Sequence, residues 1–305
     1  MIQNSSAKPD RIDLSKLSVV VGQLGGAVPE VKRQLDILGI EAPRILNDYE
    51  SICRSIESDK PDLLLCSMTP GQKRANELLR GIRHQDIGAN PFLVTLSLAD
   101  PMGPAETAQT INTGIDIMLV APFLRDAFVL RVNDLAFHRK KFVAIPQYVG
   151  PTRRVSTRSE DGLGEEFEVP NPVHAAGTGI PRETLLKQIS AAAQDLDARK
   201  MSNDVLSIRR LVYEIIPDYQ AGDITDRFRE RVSDLYTTIG LLRVRAKRLG
   251  YLDVVSMCDI AGDVIGEIRE QPVPPNLKRL RAMPKLVTGF HTALHTTPAH
   301  HGAAH

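Results

Sequence analysis

Between residues 17 and 138, short apolar runs alternate with stretches of helical periodicity, and this alternation constrains the fold more than any other feature of the chain. The runs lie at 17–21, 63–66, 92–98 and 117–120, with a weaker one at 43–45. Each is too short for a helix and is bounded by Gly, Pro or polar residues, as buried parallel strands are. Between them are amphipathic stretches, the clearest carrying Val28, Val31, Leu35 and Leu38 at helical spacing and closed by Gly39. Strand–helix units repeated in this way predict an α/β domain with a doubly wound, five-stranded parallel sheet of flavodoxin-like type.

The stretch 146–181 reads differently. Pro and Gly recur, Arg153, Arg154 and Arg158 precede an acidic run from Glu160 to Glu168, and apolar periodicity is absent. Such a composition predicts a linker, because it offers little apolar surface to offset the entropy of ordering. Beyond it the chain becomes helical. Val205, Ile208, Val212 and Ile215 form one stripe behind Ser202 as an N-cap, and Pro217 should end or kink that helix. Phe228, Val232, Leu235, Ile239 and Leu242 form a second stripe, Leu252, Val255, Val264 and Ile268 a third, and residues 276–295 offer a fourth helix. The expected organisation is a disordered N-terminus at 1–14, the α/β domain at 15–143, a linker at 144–180, an all-α helical bundle at 181–295 and a His-containing tail at 296–305.

Length and composition narrow the function. A chain of 305 residues with 42% hydrophobic and 25% charged residues has material for two cores. A net charge of +1 supplies no field toward nucleic acid or an anionic membrane, and with 5% aromatics and no Trp a base-stacking platform is disfavoured. Three widely spaced cysteines, Cys53, Cys66 and Cys258, suit a reducing compartment. With no signal-peptide pattern and no membrane-length apolar run, the expectation is a cytoplasmic protein that binds neither membrane nor nucleic acid.

Three segments carry a likeness. Val19-Val20-Val21 is followed by Gly22 and Gln23. Pro61-Asp62-Leu63-Leu64-Leu65-Cys66-Ser67 leads to Pro70-Gly71 and then Glu77-Leu78-Leu79-Arg80. Gly114-Ile115-Asp116-Ile117-Met118-Leu119-Val120-Ala121-Pro122-Phe123 closes the set. Together, over residues 17–135, they resemble the receiver domain of two-component response regulators. The resemblance places Gly22 and Gln23 where receivers hold Mg²⁺ with two acidic residues. It places Ser67 (with Cys66 as the alternative) at the phosphoacceptor aspartate, Ala99 at the hydroxyl position with Ser97 nearby, and Ala121 at the lysine that precedes a cis proline. The aromatic switch position is Met118. Tyr148-Val149-Gly150-Pro151-Thr152-Arg153-Arg154 also resembles a Gly-Pro-Asp-Arg-Arg segment that follows receivers in some proteobacterial regulators, with Thr152 departing from it.

Receiver phosphorylation needs a carboxylate nucleophile, a divalent cation and a fixed positive charge. Here every one of those positions is changed while the surrounding frame is kept. The resemblance therefore implies a pseudo-receiver in a bacterial two-component-type pathway, with no catalytic residue, no cofactor and no metal. It would act by protein contact through a surface at Met118, Pro122, Phe123 and Arg125, on a sensor kinase, a downstream regulator or a second copy. The alternative is a small-molecule sensor binding in the vestigial crevice of Gly22, Gln23, Ser67, Ala99 and Ala121. An enzyme using Cys66 or Ser67 as nucleophile ranks lowest, since no His base falls at a strand end.

Other motifs favour plain readings. His291 and His295 share a helix face but lack a third ligand at defined spacing, and His291 lacks the Lys-Gly that follows a phosphotransfer histidine. Arg154 and Arg158 match only half of the cyclic-dinucleotide motif of PilZ domains, and read as a solvated basic turn. Gly22, Gly25 and Gly26 meet neither dinucleotide nor P-loop spacing. Cys66 at a strand end reads as a small buried apolar residue.

Overall fold

The computed structural model describes residues 13–22, 28–68, 73–122, 125–145, 148–153, 165–272 and 281–296. The chain divides into two compact units, 1–193 and 194–305.

In the first unit the apolar runs form β1 (Val19–Gly22), β2 (Arg44–Leu46), β3 (Leu63–Met68), β4 (Val94–Ala99) and β5 (Ile117–Val120). They make one parallel sheet in the order β2-β1-β3-β4-β5, the doubly wound topology expected. Alternation along each strand divides the core in two. Val19, Val21, Leu63, Leu65, Val94, Leu96 and Leu119 pack with Val31 and Leu35 of α1 (Val28–Ile37) and with Phe128, Val132 and Leu135 of α5 (Arg125–His138). Val20, Leu64, Cys66 and Ala99 pack on the other face with Ile52 and Ile56 of α2 (Tyr49–Asp59) and Leu78, Leu79 and Ile82 of α3 (Lys73–His84). α4 (Pro104–Ile111) lies between β4 and β5 in the chain. Burial on both faces is why β1, β3 and β4 read as continuous apolar runs, while the edge strands β2 and β5 are more exposed.

The Pro/Gly-rich stretch is not a bare linker. β6 (Phe142–Ile145) and β7 (Tyr148–Pro151) form an antiparallel pair, and Phe142 bridges to Phe167. α6 (Pro172–Gly177) inserts Val173 into the core shared by α1 and α5. A window average over Pro and Gly hides single residues such as Val149, Phe167 and Val173, each of which is buried. Leu14, assigned to a disordered terminus, is likewise buried in the same core.

Two buried carboxylates fasten the amino-terminal end of the sheet. Asp62, just before β3, accepts from the Ser18 N–H at 3.0 Å and from Arg182 Nη1 at 3.0 and 3.1 Å. Asp116, just before β5, accepts from Arg83 Nη2 at 2.8 Å, from Arg139 Nε at 3.0 Å and from the Thr95 N–H at 2.9 Å. Arg83 also donates to the carbonyls of Pro91, Leu93 and Gly114 and to the Thr95 hydroxyl. Arg139 donates to the Pro170 carbonyl, and both guanidiniums lie against the Phe142 ring, 5.2 and 5.0 Å from its centroid. A buried ion pair of this kind holds only when its remaining donors are satisfied. The cluster ties β6 and the segment before α6 to the sheet.

α7 (Arg182–Ala221) begins twenty residues before Ser202, so Ser202 is mid-helix rather than an N-cap, its hydroxyl donating to the Ala198 carbonyl. Its first turns pack Leu185 and Ile189 against Ala175, so the all-α unit starts later than residue 181. Pro217 lies inside α7, one turn before its end. In the second unit, the later turns of α7 share one core with α8 (Asp226–Leu249), α9 (Leu252–Glu270) and α10 (Met283–Thr296). Thr225 caps α8, and Gly250, at φ 79°, ends it. The buried stripe of α9 is Val254, Cys258, Ala261, Ile265 and Ile268; of the stripe expected, Ile268 is in it and Val255 and Val264 flank it half-buried, because α9 is apolar on adjacent faces. Leu252 is 70% exposed.

Candidate functional site

Function in a doubly wound sheet is sought at the carboxyl ends of its strands. Pairing sets Gly22 beside Cys66, Ser67 beside Leu98, and Ala99 between Met68 and Val120. Ala121 follows β5, its N–H donating to the Ala99 carbonyl at 2.8 Å, and the Ala121–Pro122 peptide is cis. Gly22, Ser67, Ala99 and Ala121 are thus brought to one end of the sheet. Gln23, Phe123, the Pro70-Gly71 turn, Arg154, Arg158, Gly25 and Gly26 lie outside the described residues.

Among the described residues, the strand tips themselves are neutral. A Cβ at Gly22 would fall 2.6 Å from Ile52 Cδ1, so α2 occupies the space that a side chain would need. Ala99 is buried, and Ser67 and Ala121 are half-buried. Of nearby carboxylates, Asp48 is committed to capping α2 by accepting from the Ser51 N–H at 2.8 Å, and Asp100 is exposed beyond β4. Cys66 is buried and its Sγ faces the Leu96 carbonyl at 3.9 Å; burial pushes its thiol up to about 12, so it is no thiolate near neutrality. The Ser97 hydroxyl, beside Cys66 and Met118, is buried without a hydrogen-bond partner among the described residues.

Of the surface expected near β5, Met118 is half-buried against the α2–α3 core, since it alternates with the core residue Leu119. Pro122 is exposed, and Arg125 opens α5. Among the described residues of β5 and α5, the exposed large apolar side chains are Val120, 41% exposed, and Leu130 and Phe137, 64% and 49% exposed. Sequence reasoning missed the two on α5, though their seven-residue spacing, off the Phe128–Val132–Leu135 stripe, was visible.

Also missed was the work done by the segment resembling Gly-Pro-Asp-Arg-Arg. Gly150 of β7 backs onto Gly114, the Tyr148 hydroxyl donates to the Pro151 carbonyl at 2.6 Å, and Arg153 Nη2 donates to the Ile115 carbonyl. These contacts hold a hairpin against the loop before β5. His291 is exposed on α10, His295 lies in the same helix, and His300, His301 and His305 fall outside the described residues. Among the described residues no group of three His, Cys, Asp or Glu side chains could hold a metal ion, and no helix is long and apolar enough to cross a membrane. No protein-family model matches the chain, and no curated protein matches it.

Proposed function

We propose that the first unit is a receiver-like domain stripped of phosphorylation chemistry, acting as a phosphorylation-independent adaptor in a bacterial two-component-type pathway. The observation that carries this reading is the contrast at one end of the sheet. The strand order suits a receiver, yet the residues at the positions that would bind Mg²⁺, accept phosphate and hold its charge are uncharged, and Gly22 is closed off by Ile52. A receiver fold without that chemistry can bias a partner only through differential contact. Val120 at the tip of β5, and Leu130 and Phe137 along α5, are exposed apolar side chains suited to a protein partner.

Two measurements on the full chain test this. Intact-mass spectrometry after incubation with acetyl phosphate and Mg²⁺ should show no phosphoryl gain, and a phosphorylated Ser67 would overturn the reading. Pull-down from the native cytoplasm should lose its principal partner with Leu130→Asp or Phe123→Asp and keep it with Ser67→Ala. The reverse pattern would favour the small-molecule sensor.

A further inference from the structure

We draw no further inference here: the strongest candidate, the open groove of about 730 Å³ between α8 and α9, carries none because Gly240, Gly262 and Gly266 make it only a stripe of small residues and nothing in the structure shows what covers it.

Discussion

At the amino-terminal end of the first unit's sheet, one carboxylate, two guanidiniums and a threonine hydroxyl are buried together. At the carboxyl-terminal end the corresponding strand tips offer Gly22, Ser67, Ala99 and Ala121. Both ends belong to the same strands, yet one is highly polar and structural, the other small and neutral. Charges at the first end are satisfied by partners fixed in the fold, so removing one leaves the rest buried and uncompensated. Nothing of that kind is at stake at the second end. Changes at those strand tips should leave the scaffold intact, because the scaffold is anchored elsewhere.

Asp116→Ala should break that contrast most strongly. It strands Arg83 and Arg139 without their anion, and breaking a buried pair in this way costs roughly 3–5 kcal/mol. Urea denaturation should report a loss of that size, and a loss below about 1 kcal/mol would mean that the cluster is not the anchor. The same group predicts a pH effect. Burial opposes charge on Asp116, but Arg139 and Arg83 outweigh it and hold the carboxyl below its ordinary value of 3.8. Its stabilisation is therefore present above that value and lost as pH falls through the depressed folded value. Asp116→Asn should flatten this acid limb. Asp62 works against it, since its pKa is raised chiefly by burial, so the stability tied to its proton is greatest below 3.8 and declines as pH rises.

Gly114→Ala should come next. Gly114 has φ 84°, and its added Cβ would fall 2.2 Å from the Val149 carbonyl oxygen. A cost of more than about 1 kcal/mol is expected, together with faster proteolysis between residues 142 and 151. A variant equally resistant to protease would show that β7 is held without the close approach. Ser67→Ala, at the other end of the sheet, should shift stability by less than about 0.5 kcal/mol. A larger loss would mean that the strand tips are more than a neutral surface.

The sheet was legible in the sequence because strands buried on both faces leave contiguous apolar runs, and a run is a local signal. The strand-tip residues were legible for the same reason, since each sits at a fixed offset from its run. Arg83, Asp116 and Arg139 were not, because they join positions 23 to 33 residues apart and each looks like an ordinary surface charge in its own window. The hairpin of β6 and β7 was hidden in the same way, its buried residues being isolated among Pro and Gly. In α9 the difficulty was different. Val254 and Val255, or Val264 and Ile265, are equally apolar neighbours, so periodicity alone could not say which face turns inward.

The contact between Gly114 and Gly150 also constrains how this sequence can drift. A Cβ on Gly150 would fall 2.5 Å from the Gly114 Cα, and one on Gly114 would strike the backbone of Val149. Neither position can acquire a side chain first, and acquiring both makes the collision worse. Related chains that keep the hairpin should therefore keep both glycines while Ser67 and Ala121 wander. Chains that lose one should have lost the hairpin's docking altogether, so the two sites should disappear from a lineage together.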